Sequence, residues 1–458
     1  MRPMARVIVE TGMPPDILEG ARPSADWCVQ WLDDGCNVMA DLEQLQAAVY
    51  TQPPELTRDM LDIALALYTA DIVVPRGRNE AWTRDLSLLA PVRRPDFWEQ
   101  NLPALLAILH GLTRDNFHID FCPRRKDCPE LLRPVGAGGP AGTRRPNVDC
   151  VCSLSGGIDS LAGGAMLLRA DRRPLFVSHR SGNPHVRERQ TVAEKTLDAI
   201  RPDAAVFANL VVQPRPGSGA DCSFPVPGER ETSRRLRSFL FMAMLTAAAA
   251  GVDVEEAYLC DNGILTIALP MSPGRVGSLS TRSTHPSVMA AFNALTRAAG
   301  MKTIILNPFI YRTKAEIISD ILRPVLTPDQ IQATTSCWMS GRRSRPCGGC
   351  IPCLLRRISM LAAGLPDEAY EIDLPADPEV YRGTEAYDNL IDLLTQAVRL
   401  SSGADEQLLV QWPQLLDLAS SGVSVEDALA MYRRYAEEVV RVMREHFPAS
   451  ALLMERIC

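Results

Sequence analysis

Short apolar runs alternate with helical patterns through the middle of the chain. Each run is four to eight residues long and is bounded by turn-forming or polar residues, as buried strands are. The runs that we predict as strands are residues 148–154, 175–178, 205–212 and 256–259. The helical patterns between them are residues 159–170, 192–200 and 236–250. Because this alternation favours a parallel sheet with helices on both faces, we predict an α/β fold with a doubly wound parallel sheet.

The flanking regions differ from this middle part. The first segment mixes apolar runs with helical patterns and closes on a Gly/Pro-rich stretch at residues 134–142, which is typical of a linker. The end of the chain is largely helical, with Met431, Tyr435, Val439 and Met443 at four-residue spacing and Ser424–Asp427 resembling a capping box. We predict an N-terminal accessory α/β domain at 1–145, the parallel-sheet domain at 146–366 and a helical region at 367–458.

Composition and charge exclude several classes of protein. The chain has 458 residues, 46% of them hydrophobic and 22% charged, with a net charge of −7. This is the composition of a globular protein without a basic footprint for nucleic acid. The most apolar stretch, residues 239–252, is shorter than the about 20 residues that a bilayer requires, so no membrane association is expected. The odd total of 13 cysteines and the absence of a signal-like N-terminus indicate a reducing, cytoplasmic location.

A glycine pair joins the strand at 148–154 to the following helix. The segment runs Ser153, Leu154, Ser155, Gly156, Gly157, Ile158, Asp159 and Ser160. Glycines let the backbone approach an anion, the helix start offers unpaired N–H groups, and serines add hydroxyl donors. Asp159 could hold a magnesium ion that bridges phosphates. The pattern therefore predicts a phosphate loop; the alternative is a Gly-Gly turn with an N-cap.

Four cysteines lie close together in the sequence. Cys337, Cys347, Cys350 and Cys353 have the spacing Cys-x9-Cys-x2-Cys-x2-Cys, and Pro346 with two following glycines allows tight turns. Four thiolates make a closed tetrahedral shell, so we predict a structural zinc site. An iron–sulfur cluster and a chance grouping of core thiols are the alternatives.

The loop and the cysteines together resemble a known family. The loop is similar to the PP-loop of ATP pyrophosphatases of the N type, which cleave ATP between its α and β phosphates. With the cysteine spacing, Ser336-Cys337, the segment Thr313-Lys314-Ala315-Glu316-Ile317 and Arg356 after the last cysteine, residues 147–365 resemble the QueC family of 7-cyano-7-deazaguanine synthases. The resemblance implies a PP-loop fold of the HUP type with a zinc knuckle, and ATP, Mg²⁺ and Zn²⁺ as cofactors.

The family's chemistry implies an ATP-dependent carbon–nitrogen ligase. Its members adenylate 7-carboxy-7-deazaguanine, attack it with ammonia, and then activate and dehydrate the amide to a nitrile. The residues expected around ATP are Ser153, Leu154, Ser155, Gly156, Gly157, Ile158, Asp159, Ser160, Ser178 and His179. Those expected to bind the substrate are Asp261, Asn262, Gly263, Arg237 and Thr284, and those expected to be catalytic are Lys314, Asp159, His285 and Arg282. For Lys314 and Arg282 the alternative is a surface role, and for His179 and His285 it is ordinary hydrogen bonding.

Several segments depart from the family pattern. The departing segments are residues 177–183, 226–239, 261–264 and 280–286, and the first 145 residues are additional. In these features the chain resembles the QueC-like proteins of antiphage systems, the Qat system and type IV CBASS. That resemblance implies an amine on a protein partner from a defence operon as acceptor, without direct nucleic-acid binding, and it leaves a homodimer open. A synthase with accessory domains and a non-catalytic nucleotide-binding scaffold are the alternatives.

Overall fold

The structure is a computed structural model, and it describes residues 4–32, 36–76, 83–133, 147–180, 182–215, 224–225, 227–271, 282–337 and 345–457. The predicted linker at residues 134–142 lies outside these ranges. So do Val226, Ser280, Thr281 and part of the 177–183 segment, namely residue 181.

The N-terminal segment forms a four-stranded parallel sheet. Its strands are β1 (Ala5–Val9), β2 (Trp27–Val29), β4 (Asp85–Val92) and β5 (Asn116–Pro123), in the order β2-β1-β4-β5. The remaining strand of this segment, β3 (Val38–Asp41), belongs to a different sheet. The predicted α/β character of the N-terminal segment is therefore present.

The second sheet has six strands in the order β10-β9-β6-β7-β8-β3. Its other members are β6 (Cys150–Ser153), β7 (Pro174–His179), β8 (Val206–Pro214), β9 (Glu256–Tyr258) and β10 (Ile304–Leu306). All neighbouring pairs are parallel except β3 with β8, where Val38 is paired with Pro214. The four predicted strands of the middle region are confirmed.

Helices cover both sheets and make up the C-terminal region. In the first two regions they are α1 (Pro15–Ala21), α2 (Glu43–Ala48), α3 (Glu55–Val73), α4 (Pro95–Gln100), α5 (Leu102–Thr113), α6 (Ile158–Arg169), α7 (Pro184–Ile200), α8 (Arg237–Val252), α9 (Gly263–Ile267), α10 (Pro286–Ala298), α11 (Lys314–Ile317), α12 (Pro328–Gln332) and α13 (Ile351–Ala362). After them come α14 (Glu385–Ser402), α15 (Asp405–Gln411), α16 (Val425–His446) and α17 (Pro448–Ile457). Short 3₁₀ segments are Arg22–Ser24, Pro227–Glu229, Pro378–Tyr381 and Pro413–Ser421, and a π-helical turn, Ile318–Leu322, continues α11.

The N-terminal segment and the second sheet share one hydrophobic core. Helix α8 is apolar around its whole circumference because α3 packs on one side and the second sheet on the other. A Cβ atom on Gly251 would lie only 2.4 Å from Val49 Cγ1, so the two segments approach closely there. A buried carboxylate also joins them: Asp71 accepts a hydrogen bond of 2.9 Å from the backbone N–H of Leu236 at the start of α8.

The C-terminal helices form a second core around the segment that follows β9. Ile264, Ile267 and Leu269 pack among apolar residues of α14 and α16. The Trp412 indole donates to the carbonyl of Pro270 at 2.9 Å, and Tyr432 Oη accepts from Leu269 N–H at 3.1 Å. Ser424 accepts from Asp427 N–H at the start of α16, as its spacing predicts. The C-terminal region therefore holds residues that come directly after a strand of the second sheet.

The division at residues 145 and 366 stays a prediction, although β3 shows that the first part contributes a strand to the second sheet. No helix within the described ranges combines the length and apolarity needed to cross a membrane.

Candidate active site

The glycine pair forms the turn between β6 and α6. Gly156 has φ +82°, and a Cβ atom there would lie 2.9 Å from the backbone nitrogen of Gln190 in α7. Only glycine fits this conformation and close approach without strain. The hydroxyls of Ser155 and Ser160 lie 3.0 Å apart, and Ser160 also reaches the carbonyl of Gly157. The turn is thus held by its own side chains at the start of α6, and its binding of phosphate stays a prediction.

The carboxyl ends of the parallel strands bring other predicted residues to the same edge of the sheet. Asp261 and Asn262 follow β9, which is paired with β6, and Asn307 follows β10. Ligands of open α/β sheets bind at this edge, outside the ends of the strands. The topology therefore places the residues after β9 beside the glycine turn.

Lys314 and Asp159 form an ion pair at this edge. Lys314 Nζ lies 2.8 Å from both carboxylate oxygens of Asp159, and the Asn262 amide donates to Asp159 Oδ2 at 2.8 Å. Lys314 and Asp159 are only 7% and 6% exposed. The alternative that Lys314 is a surface lysine is therefore wrong. Its ammonium lies next to the glycine turn, where it could bind a phosphate or an acyl-adenylate.

Asp261 lies beside this pair and carries an unusual carboxyl group. Thr284 Oγ1 donates to Asp261 Oδ2 at 3.0 Å, and the backbone carbonyl of Asp261 accepts from Asn307 at 2.8 Å. Burial, together with repulsion from Asp159, raises the pKa of Asp261 from 3.8 to about 7. Two of the predicted substrate residues, Asp261 and Thr284, are thus joined by a hydrogen bond.

Gly263 and Arg237 flank Asp261. A Cβ atom on Gly263 would lie 2.4 Å from the carbonyl of Ile310, so the chain after β9 packs tightly against the segment that leads to Lys314. Arg237 is the first residue of α8 and lies exposed, with its guanidinium carbon 5.6 Å from the ring centre of Phe241. Burial raises the pKa of the Asp261 carboxyl, and the positive charge of Arg237 lowers it by a smaller amount.

Ser178 and His179 make mainly structural contacts at the end of β7. Ser178 Oγ donates to the carbonyl of Leu154 at 2.6 Å, directly before the glycine turn. His179 Nε2 lies 3.1 Å from the carbonyl of Val212, and burial lowers the pKa of His179 to about 4. The ring is therefore neutral at physiological pH. Contact with nucleotide stays a prediction for both residues.

His285 caps the helix that follows the predicted substrate segment. Its Nδ1 lies 2.8 Å from Ser287 Oγ and accepts from Ser287 N–H at the start of α10. Burial and the nearby Arg282 lower the pKa of His285 to about 4. Arg282 is itself partly buried, and burial together with Arg114 lowers its pKa. Both residues lie within two positions of Thr284, and their catalytic roles stay predictions.

The four cysteines come together as their spacing predicts. The sulfur atoms of Cys337, Cys347, Cys350 and Cys353 all lie within 4.8 Å of one another, and all four residues are buried. Gly348 has φ +81°, and a Cβ atom there would lie 2.2 Å from the carbonyl of Ile372, which explains the glycine in the knuckle. An all-sulfur tetrahedral shell fits zinc, and its four ligands leave no open position for catalysis. Cys150 and Cys152 are buried in β6, as expected of core thiols.

Arg356 connects the cysteine knuckle to the glycine turn. It is 1% exposed, donates to Thr334 Oγ1 at 2.7 Å and pairs with Asp367 at 3.1 Å. Thr335, which follows Thr334 in the chain, donates its N–H to the carbonyl of Gly156 at 3.1 Å. The sequence pattern alone predicts no role for Arg356. Its position three residues after the last cysteine, on the same helical face, was the available signal.

Comparison with known proteins finds a family that part of this region is similar to. The family model described as "Queuosine biosynthesis protein QueC" matches residues 283–364. This part of the chain is therefore QueC-like. This match contains Lys314 and the four cysteines of the knuckle, and it ends two residues before the predicted boundary at 366.

Proteins named 7-cyano-7-deazaguanine synthase are similar to about half of the chain. The protein from Synechococcus elongatus is 25% identical over 236 residues, 48% of this chain and 94% of that protein. Those from Syntrophus aciditrophicus and Aromatoleum aromaticum are 26% and 27% identical, over 49% and 47% of this chain and 98% and 93% of theirs. These relatives are enzymes by name. No solved structure matches the chain significantly.

Proposed function

We propose that the chain is an ATP-dependent ligase that adenylates the carboxylate of a 7-deazaguanine and transfers the acyl group to an amine. The main support is the Lys314–Asp159 pair beside the glycine turn, at the carboxyl edge of the sheet. A carboxylate has no leaving group until one of its oxygens carries AMP. The relatives' name supplies the 7-deazaguanine as the substrate class.

The proposed reaction has two steps. A carboxylate oxygen of the substrate attacks the α-phosphorus of ATP, the bond to the β-phosphate oxygen breaks, and pyrophosphate leaves. The amine then attacks the acyl carbon, the bond to the AMP oxygen breaks, and the amine loses a proton to solvent or to a nearby base. Negative charge builds on phosphate oxygens in the first step, where donors fixed in advance stabilise the transition state most.

The glycine turn, the ion pair and the residues around Asp261 each have a role in this proposal. The N–H groups of Gly156, Gly157 and the start of α6 bind phosphate oxygens, and the Lys314 ammonium neutralises the charge that develops there. Asp159 would hold Mg²⁺ by exchanging part of its contact with Lys314 for the metal, which would neutralise phosphate charge. Asp261 with Thr284, and Arg237 beside them, would bind the 7-deazaguanine.

We propose a protein amine as the acceptor, in antiphage defence. About half of the chain lies outside the similarity to the synthases, and the first part of it packs on α8, whose first residue is Arg237. A synthase that uses ammonia has no evident need of these additional regions.

The names of the relatives favour the second candidate, a 7-cyano-7-deazaguanine synthase.

Product analysis separates these functions. The chain is incubated with ATP, Mg²⁺ and 7-carboxy-7-deazaguanine, alone, with ammonia, or with proteins encoded beside it, and products are identified by mass spectrometry. AMP with a 7-deazaguanine-modified protein supports the proposal, and free nitrile with ammonia alone supports the synthase. If a chain that still binds ATP releases no AMP under any condition, both enzymatic functions are overturned. The non-catalytic nucleotide-binding scaffold is then the remaining alternative.

A further inference from the structure

Helix α16 contacts the segment that carries Lys314 through a carboxylate. Thr313 Oγ1 donates to Glu438 Oε1 at 2.6 Å, and the same hydroxyl accepts from Glu316 N–H at 3.1 Å. Thr313 is fully buried and is the N-cap of α11, whose first residue is Lys314. The hydroxyl that begins α11 is thus fixed from the C-terminal region, one residue before the lysine.

A second pair of contacts lies along the same helix. Arg434, one turn before Glu438, is 2.5 Å from Glu316 Oε1 and donates to the carbonyl of Tyr311 at 2.9 Å. The hydroxyl of Tyr311 in turn accepts from the backbone N–H of Ser424 at 2.8 Å. Hydrogen bonds and an ion pair therefore hold both ends of residues 311–316 against α16.

Packing alone does not explain Glu438. Glu438 is half-buried beside the buried face of α16, which is mostly apolar and includes Tyr435, Val439 and Val442. Burial and the charge of Glu316 raise the pKa of Glu438 from 4.5 to about 7, so its charged form is destabilised there. An apolar side chain of similar size would avoid this destabilisation but could not accept the hydrogen bond of Thr313.

We infer that Glu438 is a positioning residue of the active site. It holds the Thr313 hydroxyl in place, and Thr313 sets the start of α11 so that the Lys314 ammonium stays paired with the Asp159 carboxylate. The inference rests on the proposed function for its catalytic consequence. It also makes the C-terminal region, which lies outside the family match at 283–364, a necessary part of the site.

The test compares three substitutions on α16. Glu438→Met keeps the size of the side chain and removes the acceptor, whereas Glu438→Gln keeps an oxygen that can accept from Thr313. Glu437→Met is the matched control because Glu437 is its exposed neighbour. We expect Glu438→Met to lower kcat for AMP release about tenfold or more, with KM for ATP changed less. Glu438→Gln should recover most of the rate, and Glu437→Met should match wild type, with all three melting close to wild type.

Lysine labelling provides a readout that needs no turnover. The chain has four lysines, of which Lys126, Lys195 and Lys302 are exposed and Lys314 is buried. An amine-reactive reagent, followed by mass spectrometry, should label Lys314 severalfold faster in Glu438→Met than in wild type or Glu437→Met, with the other three unchanged. Equal labelling and equal kcat in Glu438→Met and Glu437→Met would overturn the inference. If wild type releases no AMP with any substrate, the proposed function fails, whereas labelling still decides whether Glu438 positions Lys314.

Discussion

Lys314 and Asp159 are 155 positions apart in the sequence, and the ammonium of the first lies 2.8 Å from both carboxylate oxygens of the second. The pair joins the start of α6, directly after the glycine turn, to the start of α11. Both groups are nearly inaccessible to solvent, so each provides most of the electrostatic compensation for the other. In the proposed function, the ammonium would turn to a phosphate while Asp159 keeps its hydrogen bond from the Asn262 amide.

Removing the lysine should impair both activity and stability. Among the described residues, Lys314→Met leaves the buried carboxylate of Asp159 with the Asn262 amide as its one side-chain donor. We therefore expect the free energy of unfolding to fall by about 3 kcal/mol. We also expect AMP formation to fall by a factor of about 100 or more, because one fixed donor at a developing charge contributes that much. Urea unfolding and an AMP assay measure the two effects. Lys302→Met, at an exposed lysine, is the control; a Lys314→Met enzyme with its full rate would contradict the assigned role.

The two glycines of the turn should respond differently to alanine. Gly156→Ala places a Cβ at φ +82° and 2.9 Å from Gln190 N, so we expect a loss of about 2 kcal/mol or more in unfolding free energy. A Cβ on Gly157 meets nothing closer than 3.4 Å, so Gly157→Ala should change stability by less than about 1 kcal/mol. It should nevertheless weaken ATP binding, since in the proposed function the methyl group would lie where a phosphate approaches the backbone.

Calorimetric titration with ATP and thermal unfolding distinguish these effects. Wild-type affinity for ATP in Gly157→Ala would show that phosphate does not lie on this turn. Wild-type stability in Gly156→Ala would contradict the backbone conformation.

The elements that sequence predicts well are those whose information is local. The glycine turn, its serines and the cysteine knuckle each occupy one short segment, so their residue types and spacing were sufficient. The contacts between segments were not predictable in this way: Lys314 was a candidate without a partner, and nothing in residues 38–41 marks them as the edge strand beside β8. His285 illustrates a third case. The family resemblance makes it a candidate catalytic residue, whereas a polar residue directly before Pro286 is also a signal for the helix cap that it forms.

Metal analysis should find one zinc ion per chain. Because four buried thiols converge and offer a closed shell, Cys350→Ser should lose most of the metal and lower the melting temperature. Elemental analysis by mass spectrometry measures the metal, and Cys36→Ser, outside the cluster, is the control. Iron with visible absorption would instead indicate an iron–sulfur cluster, and a metal-free protein that melts like wild type would indicate core thiols.

Asp261 should make stability depend on pH. Its pKa is about 7 in the folded chain against 3.8 for the free group, so the folded state retains a proton that the unfolded state loses between these values. The stability that this group contributes is therefore fully present below about pH 4 and is lost as the pH rises through 7. Asp261→Asn removes the titration and keeps an acceptor for Thr284. We expect the variant to match wild type near pH 4 and to exceed its unfolding free energy by about 2–4 kcal/mol at pH 8.

Chemical denaturation at a series of pH values measures this difference. Asp203→Asn, on an exposed turn, is the control substitution. A constant difference between Asp261→Asn and wild type from pH 4 to 8 would contradict the raised pKa.

The final prediction concerns the N-terminal segment, which we expect to be required for folding. Without it, residues 147–458 lose β3 from the edge of the second sheet and α3 from the face of α8, and the apolar residues of α8 become exposed. The segment also carries Asp71, whose side chain is fully buried, pairs with Arg84 and accepts from Leu236 N–H. The exposed apolar surface should make 147–458 aggregate when expressed alone.

Co-expression of residues 1–140 and 141–458 as two chains tests whether the contacts themselves suffice. We expect the two chains to purify together and to retain AMP formation, because β3 and α3 can still dock on β8 and α8. A soluble fragment 147–458 with wild-type melting behaviour would instead show that the N-terminal segment is an independent domain. In that case the shared core around α8 would contribute little to stability, and Asp71 would not be needed to hold the start of the helix that carries Arg237.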